Sequence, residues 1–232
     1  MVFLDIPIPS TISKTISYMR KGKPMSQKGV LVVISGFSGA GKGTLMKELL
    51  KQYPNYALSV SATTRQPRPG EVDGREYYFV TEKDFDEMIA KDQMIEYACY
   101  CGRYYGTPRT YVEEQMASGK DVLLEIEIQG ALQIKKKFPE TILIFITTPS
   151  AEILKNRLVG RGTETPEVIA ARLSRAVEES RGIEEYDYVL VNDDLAECTA
   201  LLHQVIQDQH HRACNQMDFI EKTREELKGF CQ

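Results

Sequence analysis

The nine residues Gly36 to Thr44, reading Gly-Phe-Ser-Gly-Ala-Gly-Lys-Gly-Thr, carry the densest chemistry in the chain. Glycines at this density let a loop turn its backbone N–H groups inward onto an anion, with no Cβ in the way. Lys42 adds a mobile ammonium able to follow the β- and γ-phosphate oxygens of a nucleotide. From Gly36 to Lys42 the residues fit G-x-x-x-x-G-K, and then they depart from the pattern: Gly43 stands where Ser or Thr would meet Mg²⁺, and Thr44 follows one place later. Such a loop binds a nucleoside triphosphate. Its candidate contacts are Gly36, Ser38, Gly39, Ala40, Gly41, Lys42, Gly43 and Thr44.

Other charged groups are spaced for phosphate chemistry. Glu125 and Glu127 close an apolar run, and acids ending a strand beside such a loop suit Mg²⁺ or its water shell. Glu125, acting through water, is the metal candidate. Arg65 and Arg68 lie in a proline-stiffened loop, where each guanidinium can grip two phosphate oxygens; a merely solvated basic loop is the plain alternative. Arg157, Arg161, Arg172 and Arg175 surround a glycine-flanked turn and suggest a hinged, positively charged flap. Their alternative is an i,i+4 salt-bridged helix with Glu178 and Glu179. His210, His211 and Cys214, taken as one late helix, read as a solvated face before a metal site. The five cysteines include no CxxC pair and read as reduced intracellular thiols.

The elements that must position these groups alternate. Val30 to Ile34 is an unbroken apolar run suited to a strand buried on both faces. Leu45, Met46, Leu49, Leu50 and Tyr53 then recur at helical spacing, so the loop opens a helix and faces the positive end of its dipole. Tyr56 to Ser61 reads as a second strand, and Tyr77 to Val80 as a short one. Thr81 caps a helix with apolar Phe85, Met88 and Ile89, and Met94 to Gly106 reads as a hairpin turning at Cys101-Gly102-Arg103. Thr107 is expected to cap a further helix, with Pro108 at its first position and Gly119 ending it. Strands are expected over Val122–Glu127, Thr141–Thr147 and Asp187–Val191. Ser150 caps a helix to about Arg161, and Asp194 caps a long one broken near Cys214.

This alternation predicts an α/β fold, a doubly wound five-stranded parallel sheet, with a small mixed α/β insertion and a helical lid. The expected divisions are an N-terminal extension over 1–28, a core over 29–60 and 110–208, an insertion over 61–109, a lid over about 157–180, and a helical extension over 209–232. With 232 residues, 42% apolar and 27% charged, one larger domain is expected. A net charge of −4 argues against a non-specific nucleic-acid binder, and no apolar window is long enough for a bilayer. A cytoplasmic protein with no nucleic-acid or membrane partner is expected. The first 28 residues, with prolines at 7, 9 and 24, look like a mobile or docking arm, and Met25 is an alternative start.

Residues 29 to about 208 resemble guanylate kinase. The resemblance rests on GFSGAGKGT, SVSATTRQPRPGEVDGREYYFV, the CGRYYGT hairpin, LLEIEIQG, and RLVGRGTETPEVIAARL followed by DYVLVND. It implies transfer of the γ-phosphate of ATP to GMP or dGMP, with Mg²⁺ as cofactor. It further implies that Ser61, Glu96, Thr107 and Glu127 contact guanine, and that Arg65, Arg68, Tyr77 and Tyr105 hold the GMP phosphate. Lys42 and the loop amides would hold the ATP phosphates, and Asn192 would lie near adenine. Arg157, Arg161 and Arg172 would be the lid and catalytic arginines. Glu127 stands where the family often has Asp. A related peptide-binding module that has lost catalysis would not be expected to keep both Lys42 and these arginines.

Overall fold

The computed structural model describes residues 28–100, 102–160 and 165–230. The arm over 1–27 with Met25, Cys101 and Arg161 lie outside the described residues, so the expectations placed on them do too.

Strand β1 (Leu31–Gly36) is central in a five-stranded sheet ordered β2-β7-β1-β8-β9. β1 pairs with β7 (Asp121–Glu125) and β8 (Ile142–Thr147), β7 with β2 (Tyr56–Leu58) and β8 with β9 (Tyr188–Val191), and every pairing is parallel. The unbroken apolar run is explained by burial on both faces. Val30, Val32 and Ile34 pack with Leu45 and Leu49 of α1 (Lys42–Gln52) and with Leu202 and Ile206 of α7 (Leu195–Gln209). Leu31 and Val33 face the other way, onto Val112 of α3 (Arg109–Ala117) and Ala131 and Ile134 of α4 (Ile128–Lys137). Each such side chain fully buried contributes about 1.5–3 kcal/mol, so a polar residue at Val33 would undermine the layer. The expected fold class is the one observed.

A second sheet, ordered β4-β3-β6-β5, uses β3 (Ala62–Thr63), β4 (Tyr78–Phe79), β5 (Met94–Tyr100) and β6 (Arg103–Pro108). It is mixed: β3 pairs parallel with β4 and antiparallel with β6. Helix α2 (Glu82–Ala90) closes over it through the fully buried Phe85, and the Thr81 hydroxyl accepts from the Asp84 N–H as a cap. Helices α5 (Ala151–Gly160) and α6 (Pro166–Ser180) follow β8.

Local expectations are corrected at several points. The strand from Tyr56 stops at Leu58, not Ser61: the Ser59 N–H still donates to the Leu123 carbonyl at 3.0 Å, and the chain then leaves for the second sheet. The strand before the acids stops at Glu125, because Glu127 turns to cap α4, a helix absent from the sequence reading. Thr107 is a strand residue of β6, and α3 starts at Arg109 with Pro108 as its cap. His210, His211 and Cys214 share no helix. Helix α7 ends at Gln209, and a 3-10 turn over Ala213–Asn215 precedes α8 (Met217–Lys228), which places the break near Cys214. His210 is no solvated face: its Nε2 lies 2.8 Å from the buried Asp121 carboxylate.

Candidate active site

The loops that matter leave the C-terminal ends of the parallel strands, where open α/β sheets form their ligand crevices. β1 leads into Gly39 and Gly41, at φ 96° and 90°, a region costly to any side chain. A Cβ on Gly39 would also lie 2.9 Å from Leu158 Cδ2, so α5 packs against the loop. Gly41 caps α1 and directs that helix's free N–H groups into the loop. Asn192, buried just after β9, donates its Nδ2 to the Ala40 carbonyl at 2.8 Å and braces the loop from below.

Lys42 Nζ is folded onto the loop, donating to Gly36 O at 2.6 Å and Phe37 O at 3.3 Å. Loss of hydration lowers its pKa, against the pull of Glu125, Glu127 and Glu179. Gly43 and Thr44 are exposed on the first helical turn, and a Cβ at Gly43 would have open space for 4 Å around it. Ser38 Oγ accepts from Arg172 Nη1 at 2.7 Å, joining α6 to the loop. Arg157 sits half-buried on α5.

The i,i+4 reading of the arginine segment is observed at Arg175. Arg175 Nε meets Glu179 Oε1 at 3.0 Å in the i,i+4 geometry, while its Nη2 donates to Glu127 Oε2 at 2.7 Å. Glu125, at the end of β7, is held above the usual carboxylate range by loss of hydration, an effect opposed by Lys42 and reinforced by Glu127. The five groups therefore share one field: Lys42 and Arg175 against Glu125, Glu127 and Glu179. Among the described residues, no three His, Cys, Asp or Glu side chains are arranged to hold a metal. An ion held by phosphate oxygens, with Glu125 reaching its water shell, fits these donors better than a protein-only cage.

The second sheet gathers the other candidates. Arg65 forms a two-point ion pair with Glu71, Nη1–Oε2 and Nη2–Oε1 both at 3.0 Å, and lies 5.3 Å from the Tyr77 ring centroid. Tyr105 hydrogen-bonds to Arg65 and meets Tyr77 edge-on at 5.9 Å. Arg68 is exposed, and its backbone N–H donates to Glu71 at 2.7 Å. Glu71, which occupies the Arg65 fork, was not anticipated; its only sequence signal is its place after the Pro-Gly turn.

Deeper in the same sheet, Glu96 is 4% exposed and Thr107 wholly buried. The Thr107 hydroxyl donates to Glu96 Oε1 at 2.7 Å, across the β5–β6 pairing that sets the two side by side. Burial raises the Glu96 pKa, while the Thr107 hydrogen bond and Lys137 oppose the shift. Gly130 of α4 is a neighbour of this carboxylate that the sequence reading does not identify: a Cβ there would lie 2.9 Å from Glu96 Oε2. Glu127 caps that same helix, so both acids border its first turn. Ser61 is half-buried at the entrance to β3 and accepts the Tyr78 N–H through its carbonyl.

The arrangement offers one anion-binding loop at a helix terminus and one arginine–tyrosine anion site beside a buried acceptor. Comparison with known proteins is consistent with it. The guanylate kinase family model matches residues 28–209. The chain is 52% identical over 188 residues to a guanylate kinase of Lactococcus lactis subsp. lactis, covering 81% of this chain and 92% of that one. It is 56% identical over 167 residues to a guanylate kinase of Desulfitobacterium hafniense, with coverages of 72% and 84%. Among solved structures it resembles the crystal structure of guanylate kinase from Anaplasma phagocytophilum, with TM-score 0.66 and 33% identity over 82% of this chain and 90% of that chain.

Proposed function

Because the chain belongs to the guanylate kinase family, we infer that it transfers the γ-phosphate of ATP to GMP, giving ADP and GDP. The attacking phosphate oxygen of GMP is already deprotonated at neutral pH, so no general base is needed. Catalysis then consists of holding two anions in line and neutralising the charge that spreads between them.

The residue roles are ours to propose. Lys42 leaves the carbonyls of Gly36 and Phe37 for the ATP phosphates, joining the amides of Ser38 to Thr44, while Asn192 keeps the loop in shape beside the adenine. Arg65, Arg68, Tyr77 and Tyr105 take the GMP phosphate, which displaces Glu71 from the Arg65 fork. Glu96, Ser61, Thr107 and Glu127 read guanine. Arg157, Arg161 and Arg172 act from the lid on the transferring group. Glu125 would reach the water shell of Mg²⁺, which would supply neutralisation of phosphate charge. No helix among the described residues is long and apolar enough to cross a membrane, and the cytoplasm is the compartment proposed.

The observation that supports this reading best is the buried Glu96–Thr107 pair. Guanine offers N1–H and N2–H₂ on one edge, and a carboxylate accepts both; adenine offers a lone pair at N1. Sites built on such bonds reject analogues lacking them by about 10⁴ to 10⁵. Coupled ADP release with GMP, dGMP, AMP, UMP and CMP tests it. Turnover should be confined to GMP and dGMP, and equal use of AMP would defeat the reading.

A further inference from the structure

The contacts around Glu127 lead past the assigned roles. Its carboxylate is largely exposed, at 61%, on the first turn of α4, and an exposed Glu samples many rotamers. Here one oxygen is held. Arg175 Nη2 donates to Glu127 Oε2 at 2.7 Å, and the guanidinium is itself anchored through Nε to Glu179, whose side chain is only 14% exposed. A planar fork tied at two edges presents a fixed donor.

We propose that Arg175 is a positioning residue for base recognition: it fixes Glu127 Oε2 so that Oε1 meets the guanine exocyclic amine. This rests on the reading of Glu127 as a guanine contact. The same link makes α6, the helix that also carries Arg172, sensitive to which base is bound, since α6 reaches Ser38 of the ATP loop and Glu127 through side chains one turn apart. A lysine cannot replace the arginine, because one ammonium on a flexible stem does not span both carboxylates as the fork does.

The test compares kcat/KM for GMP with that for IMP, whose hypoxanthine lacks the exocyclic amine. Glu127→Ala should lower the preference for GMP more than either Arg175 variant does, Glu96 still accepting from the other N2–H. Arg175→Ala and Arg175→Lys should each lower it by roughly 3- to 10-fold, the scale of a partly exposed ion pair with good geometry, while rates with IMP change less. In the Glu127→Ala background, Arg175→Ala should leave the ratio unchanged. Arg175 also lies within the field of Lys42, so a general loss of rate with both nucleotides is compatible with the proposal, and the ratio is the readout. Thermal melting of each variant separates loss of fold from loss of discrimination. An unchanged ratio in folded Arg175→Ala, with a lowered ratio in Glu127→Ala, would overturn the role of Arg175 alone. An unchanged ratio in Glu127→Ala would overturn the Glu127 reading and the proposal with it.

Discussion

At the scale of single residues, the proposed guanine pocket trades stability for recognition. Burial raises the Glu96 pKa in the folded chain, so between the ordinary value and the raised one the folded state binds more protons than the unfolded. Stability therefore falls as pH climbs through that window, and above it the Glu96 charge costs the folded state free energy. Glu96→Gln removes the charge and keeps the shape. It should raise Tm by about 2–4 °C, the shift produced by roughly 1 kcal/mol in a chain of this size, while GMP turnover collapses. Calorimetry and the coupled assay check the two halves separately; a lower Tm would show that the charge is not the source of strain. In the wild type, KM for GMP should begin to rise with falling pH while free carboxylates are still ionised. Gly130→Ala places a methyl 2.9 Å from Glu96 Oε2, so the carboxylate must shift, and should weaken GMP use without touching ATP binding. At Gly43 the space is open, so Gly43→Ser should fold normally and change the Mg²⁺ dependence of the rate. Superimposable Mg²⁺ titrations would mean the added hydroxyl finds no metal.

At the scale of elements, α6 is the piece that reaches the transfer centre from outside the sheet. Arg172 Nη1 donates to Ser38 Oγ of the glycine-rich loop at 2.7 Å, which puts it within reach of phosphates proposed to bind there. Arginines acting on a transferring phosphoryl group are worth about 10³ to 10⁵ in turnover, so Arg172→Ala should depress kcat by that order with a much smaller change in KM for GMP. Steady-state kinetics decide it, and near wild-type turnover would remove Arg172 from the mechanism. The sequence made this element legible through Pro166 at its first position and its arginine spacing. The P-loop was equally plain, since an apolar run, clustered glycines and helical spacing all agree. Contacts that depend on pairing across sequence distance were harder to read. Thr107 looked like a cap because Thr-Pro opens helices, but the β5–β6 register turns it onto Glu96. Helix α4 was missed because its short apolar stripe of Ile128, Ala131 and Ile134 follows an apolar strand without a break, and with it went Gly130. Arg175–Glu179 was readable as an i,i+4 pair, whereas Arg175–Glu127 spans 48 residues and has no local signature.

At the scale of the whole molecule, the chemistry at one end of the sheet is matched by a structural hub at the other. Asp121, 1% exposed at the start of β7, accepts the Val30 N–H at 3.0 Å, Gln207 Nε2 at 3.0 Å and Asn55 Nδ2 at 3.3 Å, and meets His210 Nε2 at 2.8 Å. It ties the beginnings of two central strands to the end of α7. Asp121→Ala would strand several buried donors at about 1–3 kcal/mol each, so a Tm loss of roughly 6–12 °C is expected with little change in base preference. A melting curve unchanged by that substitution would show the hub to be incidental. The proposed binding end makes a different demand: the loop proposed for ATP and the pocket proposed for GMP lie on separate sheets, so both nucleotides must be bound together for direct transfer. Initial rates over a matrix of ATP and GMP concentrations, with ADP and GDP both quantified, test this most directly. Intersecting double-reciprocal lines and one GDP formed for each ADP are expected; parallel lines, or ADP released without GDP, would rule out direct transfer between two bound nucleotides.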